Sequence, residues 1–234
     1  MTLQVTILAA GMGTRLGRPW PKPLTPLRDG RSIMAQQMDN IAAVLGESAR
    51  VTVVVGFKLE LVMEAFPDAV FVYNEAYDQT NTCKSLLKAL KASHAGGVLW
   101  MNGDVVFDAA VLKRVLPLVE DEQSFVCVNH AAVGDEEVKY TVDDEGFVRE
   151  LSKTVVGGLG EAVGINFVSQ PDKALLVRHL EACAESDYFE RGIETAVAAD
   201  GLRVLPVDIS DLDAVEVDFE EDLERANDLI GRDP

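Results

Sequence analysis

The stretch Leu8-Ala9-Ala10-Gly11-Met12-Gly13-Thr14-Arg15-Leu16-Gly17, closed by Pro21-Lys22-Pro23-Leu24, constrains this chain more than any other. The apolar run Val5-Thr6-Ile7-Leu8 that leads into it reads as a buried strand. Glycine lets the backbone take positive φ and lets a ligand approach the main chain closely. Successive N–H groups in such a turn converge on one concavity and hold an anion. Arg15 adds a planar fork of donors that suits phosphate, and Lys22 adds a compact positive charge. Strand, glycine turn, arginine and lysine together describe a triphosphate cradle.

Spacing excludes two other phosphate loops. A dinucleotide loop needs G-x-G-x-x-G, and here the third glycine, Gly17, comes one residue late. The acidic residue expected at the end of its second strand is missing, because that strand runs into Gly56-Phe57. The string G-x-x-x-x-G-K-[ST] does not occur in the chain.

The rest of the first half alternates between strand and helix patterns. Ser32–Leu45 has helical spacing, and Gly46 ends it. Val51–Val55 is a β-branched central strand, Lys58–Ala65 a short helix stopped by Pro67, and Ala69–Tyr73 the next strand. After the polar loop Asn74–Asn81 come a helix over Thr82–Ser93 and a buried strand over Gly97–Met101. Such alternation predicts right-handed βαβ units and an α/β fold: a Rossmann-like mixed, mostly parallel sheet flanked by helices, in a single domain. Ligands of such sheets sit outside the strand C-termini, where the glycine loop lies. The strand ending at Met101 delivers Asn102-Gly103-Asp104 to the same edge. A carboxylate there suits Mg²⁺, a hard cation that prefers oxygen ligands. Asp108 more simply caps a helix over Ala109–Val119.

From Ser124 the pattern turns β-like: Phe125–Asn129, Glu137–Val142, Phe147–Leu151 and Glu161–Ser169, with a hairpin-type turn at Asp143–Gly146. Asp172–Ala184 and Tyr188–Ala198 read as helices, and Asp213–Asp218 as a last strand. Asp218 then stands as N-cap of a final helix, with Glu221 completing a capping box.

Charge and composition narrow the partners. The net charge of −18 argues against nucleic acid. Residues 1–31 nevertheless carry Arg15, Arg18, Lys22, Arg28 and Arg31 against Asp29 alone, while residues 200–234 hold twelve acids and three arginines. A basic island in an acidic protein fits a small polyanionic ligand. No apolar run approaches membrane-spanning length and no leader pattern opens the chain, so a cytoplasmic protein without membrane contact is expected. Cys83, Cys127 and Cys183 have no metal spacing and read as reduced thiols.

The string LAAGMGTRLG…PKPL resembles the signature of nucleotidyltransferases with the GT-A-like fold. These include sugar-1-phosphate nucleotidylyltransferases and phosphocholine-type cytidylyltransferases. The resemblance is strongest over the first 110 residues. It implies a nucleotide-binding half over about 1–110 and an acceptor-binding half over about 111–234. It implies that Leu8, Ala9, Ala10, Gly11, Met12, Gly13 and Thr14 hold the nucleotide, with Arg15 and Lys22 neutralising its phosphates. It places one Mg²⁺ ligand at Asp104 and a second at Asp218, where capping competes for the same side chain. Thr80–Leu86 resembles the asparagine-containing segment of the cytidylyltransferase branch. Asn81, Thr82 and Ser85 there could read a pyrimidine edge, or Asn81 or Thr82 could simply cap the helix.

On the acceptor side the resemblance points to Lys153, Glu161, Gly164, Asn166, Glu190 and Glu194, with Tyr188 or Phe189 nearby. For Lys153 and for one of the two glutamates on the Tyr188–Ala198 helix, plain solvation is the competing reading. The implied reaction takes a nucleoside triphosphate, CTP favoured, and a small phosphorylated acceptor, in a monomer or homodimer. A sugar-1-phosphate uridylyl- or thymidylyltransferase is the alternative, and a molybdenum-cofactor guanylyltransferase a weaker one. A nucleotide-sensing module without turnover is the alternative of another class.

Overall fold

The computed structural model describes residues 3–130 and 137–230. Its centre is β1 (Leu3–Ala9), buried on both faces along nearly its whole length, as an unbroken apolar run requires. β1 lies between β2 (Ala49–Val55) and β4 (Val98–Asn102) and is parallel to both, and β3 (Val70–Tyr73) extends the sheet beyond β2. On the other side follow β9 (Glu161–Val168), β6 (Phe125–Asn129) and the edge strand β10 (Leu205–Asp208), giving the order β10-β6-β9-β4-β1-β2-β3. β9 is antiparallel to both its neighbours, and every other pairing on this path is parallel. The sheet is therefore mixed and mostly parallel. A hairpin of β7 (Lys139–Val142) and β8 (Val148–Ser152) joins the sheet through β9, turning at the Asp143–Gly146 segment.

Side-chain alternation along the strands splits the core into two layers. Val5, Ile7 and Ala9 of β1 face α1 (Ile33–Leu45), α2 (Leu59–Ala65) and α4 (Ala109–Glu120). Leu8 and Ala10 face the opposite way, towards α3 (Thr82–Ala92), α5 (Gln170–Ala182) and α6 (Phe189–Asp200). Ser32 caps α1 and Asp108 caps α4 through side-chain oxygens that accept from Ala35 and Ala110 N–H groups.

Two strands, β10 and β5 (Val105–Phe107), were hidden from the sequence pattern, whereas β11 (Ala214–Glu216) falls within the strand expected over Asp213–Asp218. β10 contains Pro206, which reads against a strand and is tolerated here because the strand is at an edge. β5 and β11 are three-residue strands that form a separate antiparallel ribbon, pairing Val105 with Glu216. α7 (Glu220–Ile230) follows the ribbon and packs Leu223 and Ala226 against Leu16, Leu27 and Ile33, which ties it to the glycine loop. The expected cap of this helix is displaced by one residue. Asp222, not Glu221, reaches back, accepting from the N–H groups of Asp218 at 3.0 Å and Phe219 at 2.8 Å, and the Asp218 carboxylate is engaged elsewhere.

Candidate active site

β1 and β4 are parallel neighbours, so the glycine loop and the Gly103-Asp104 turn emerge side by side at one sheet edge. A cavity of about 430 Å³ opens there. Gly13 has φ 58 and ψ 37, the left-handed region, and a Cβ on it would lie 2.8 Å from Lys22 Cβ. Only glycine fits that position. Gly11 takes no positive φ, and a Cβ there would meet nothing within 4 Å, so its contribution is clearance towards the cavity. Leu8, Ala9, Gly11, Met12, Gly13, Thr14, Arg15 and Lys22 all line the wall.

The carboxylates arrive by the β5–β11 ribbon. Asp104 precedes β5, Glu216 ends β11, and Val217 N–H donates to Asp104 O at 2.9 Å. Asp104, Glu216 and Asp218 thereby place carboxylate oxygens within 4.8 Å of one another. Lys22, only 8 % exposed, donates to Asp104 Oδ2 at 2.8 Å and to Asp218 Oδ1 at 2.5 Å. Arg15 holds the other Asp218 oxygen at 2.8 Å. Burial alone would lower the Lys22 ammonium, but Asp104 and Asp218 outweigh it and hold it above the usual lysine range. Burial likewise opposes ionisation of Asp218, and Lys22 and Arg15 reverse this and keep it below the usual range. Burial and then the charges of Asp104 and Asp218 push Glu216 well above the carboxylate range. Asp104 Oδ1 is shut away from solvent without a protein partner. An orphaned carboxylate oxygen amid two further carboxylates fits a hard divalent cation. Asp104 and Asp218 stand where sequence placed them. Glu216 was not legible, because its approach depends on a pairing between two very short strands.

Asn81 and Thr82 line the cavity at the start of α3. Asn81 also caps that helix, accepting from Thr82 N–H at 2.8 Å, and its Nδ2 donates to Ser186 O at 3.3 Å. On the opposite wall stand Glu137, Lys153, Ala162, Gly164, Tyr188 and Glu190. Lys153 Nζ lies 4.8 Å from the Tyr188 ring centroid. Glu190 is 7 % exposed with Oε2 unpartnered, and burial pushes its carboxyl up to about 7.

Five expected site residues do not line the cavity. Ala10 packs into the α3 core layer while its carbonyl accepts from Phe57 N–H at 3.0 Å. Ser85 is buried and accepts from Asn74 Nδ2 at 3.1 Å. Strand alternation turns Glu161 to the face opposite Ala162 and Gly164; burial, then Glu137, push it up to about 7. Asn166 shares the face of Gly164 but lies deeper, 1 % exposed, where its amide oxygen accepts from Trp100 Nε1 at 3.2 Å. Glu194 accepts from Leu151 N–H at 3.3 Å and Arg191 at 2.6 Å, fastening α6 to β8. Of the two aromatics expected nearby, Tyr188 reaches the cavity, whereas Phe189 packs edge-on against Trp100.

A sheet of this order, with a glycine turn and a carboxylate trio at its C-terminal edge, defines an NTP-transferase type of α/β domain. The chain belongs to the MobA-like NTP transferase domain family, whose model matches residues 5–162. It is 30 % identical over 246 residues to the CMP-5′-(3-aminopropyl)phosphonate synthase of Streptomyces rubellomurinus, covering 96 % of this chain and 38 % of that protein. It is 28 % identical over 228 residues to the bifunctional protein GlmU of Pseudomonas aeruginosa, covering 93 % of this chain and 48 % of that one. The chain thus spans less than half the length of either relative. Among solved structures, the inositol-1-phosphate CTP transferase of T. maritima superposes with a TM-score of 0.80 at 17 % identity, covering 99 % of this chain and 98 % of that one. No helix among the described residues is long and apolar enough to cross a membrane.

Proposed function

We propose that the chain is a nucleotidyltransferase that moves CMP from CTP onto a small phosphorylated acceptor and releases pyrophosphate. The observation that carries this reading is Lys22, seated under the glycine turn and bonded at once to Asp104 and Asp218. A phosphate-suited cation and cation-suited carboxylates share one point, as a metal–triphosphate complex demands.

An acceptor phosphate oxygen is already ionised near neutral pH. It forms a bond to the α-phosphorus, the bond from that phosphorus to the bridging oxygen breaks, and pyrophosphate leaves with the electron pair. No general base is required, so the chain supplies position and charge. The backbone from Leu8 to Thr14 holds the nucleotide, and Arg15 and Lys22 hold the leaving pyrophosphate. Asp104, Glu216 and Asp218 would hold Mg²⁺, which when bound supplies positive charge beside the α-phosphate oxygens. Lys153 meets the acceptor oxyanion from the opposite wall. The choice of CTP is supported by Asn81 and Thr82 in the wall, and by the CMP and CTP in the names of two of the similar proteins.

A thermal-shift series with CTP, UTP, dTTP, GTP and ATP at fixed Mg²⁺ tests the nucleotide. Ligands raise the melting temperature in step with RT ln(1 + [L]/Kd), so CTP must give the largest rise. A clear preference for UTP or dTTP overturns the cytidylyl reading.

A further inference from the structure

The acceptor wall of the cavity carries an unusual pair of charges. Lys153 lies over the Tyr188 ring and has no carboxylate within ion-pair distance among the described residues. Glu190, at the start of α6, lines the same cavity with its carboxylate more than nine-tenths buried and Oε2 without a partner. A buried carboxylate oxygen left unpaired costs free energy that a ligand donor recovers. Glu137 also lines this wall, so its charged side chains are two glutamates and one lysine.

We infer that the acceptor is a zwitterion, a small phosphate or phosphonate bearing a primary ammonium group, whose oxyanion meets Lys153 and whose ammonium donates to Glu190. This rests on the transfer reaction proposed above and specifies its second substrate. A primary ammonium brings both the charge and the N–H that Oε2 lacks. A polyol phosphate brings hydroxyls but no charge to pair with the buried Glu190 carboxylate. A quaternary ammonium brings charge but no N–H, and it favours open aromatic faces. The two aromatic rings on the cavity wall are both engaged, Tyr188 by Lys153 and Tyr77 by Phe57 at a centroid distance of 6.4 Å. The Glu190 side chain therefore selects the head of the acceptor, and Lys153 anchors its tail.

Pyrophosphate release with CTP and Mg²⁺ tests this, comparing 3-aminopropyl phosphate or phosphonate with the butyl isostere, choline phosphate and glycerol phosphate. The wild-type protein is expected to favour the amine over its alkyl isostere on the order of 10- to 100-fold in kcat/KM. In Glu190→Gln, which keeps shape and removes charge, that ratio falls to within about threefold of unity. In Lys153→Met, kcat/KM falls for all acceptors while the amine-to-alkyl ratio persists. Glycerol or choline phosphate turned over better than the amine overturns the inference and leaves the transfer reaction standing, as does an unchanged ratio in Glu190→Gln. Absence of release with every acceptor and every nucleotide overturns both.

Discussion

Lys22 and Asp104, 82 positions apart in sequence, form a 2.8 Å ion pair at the meeting point of the glycine loop and the end of β4. The same ammonium reaches Asp218 from the far end of the chain. One side chain thus joins the Pro21–Leu24 segment to both segments that would bind a cation.

Removing that ammonium leaves three carboxylates facing one another. Lys22→Ala is expected to lose stability on the order of 3 kcal/mol, because breaking a largely buried pair strands its partners. Millimolar Mg²⁺ should restore part of that loss, and should stabilise the variant more than the wild type, where the lysine competes for the same oxygens. Thermal unfolding with and without Mg²⁺ measures both. An equal Mg²⁺ effect in the two proteins would show that the carboxylates do not form a cation site.

The two glycines of the loop separate backbone strain from clearance. Gly13→Ala forces a side chain into a left-handed conformation and against Lys22 Cβ, and should cost about 1–3 kcal/mol of stability. Gly11→Ala should fold with nearly wild-type stability, since its Cβ meets nothing, yet weaken nucleotide binding by projecting into the cavity. Chemical denaturation paired with nucleotide titration distinguishes the two variants. Equal stability losses would contradict the assigned backbone roles.

Glu190 gives a pH signature. Burial raises its carboxyl from the ordinary value of 4.5 to about 7 in the folded protein. Between those values the folded state binds more protons than the unfolded state, so this group lowers stability as pH rises. Below pH 4 it costs nothing, and above pH 7 its full cost is present. Glu190→Gln removes the cost and should be more stable than wild type by on the order of 3 kcal/mol at pH 8, with no advantage at pH 4. Denaturant unfolding at both pH values checks this. An advantage for the variant that is the same at both would mean that Glu190 is not buried as a charge.

Much of this was readable from sequence wherever the deciding contacts are local. The run Val5–Leu8 into Gly11 and Gly13 fixed a strand and an anion-suited turn, and the run ending at Met101 brought Asp104 to the same edge. What escaped depends on long-range pairing or on depth. Glu216 joins the cluster only because β11 pairs with β5. Asn166 and Glu194 sit on the expected strand and helix, but no periodicity says that Trp100 covers the one or that Leu151 N–H takes the other. β10 was masked by Pro206, whose missing N–H matters little at a sheet edge.

The most direct test of the account is pyrophosphate release measured with CTP, Mg²⁺ and a primary-amine phosphate acceptor, for the wild type, Lys22→Ala and Asp104→Asn. The expected result is release that requires acceptor and Mg²⁺ together, matches the CMP-linked product one for one, and falls on the order of 10²-fold or more in each variant that still folds. Nucleotide binding without release across all acceptors would contradict it and mark the protein as a nucleotide sensor, and full turnover in either variant would show that the site lies elsewhere.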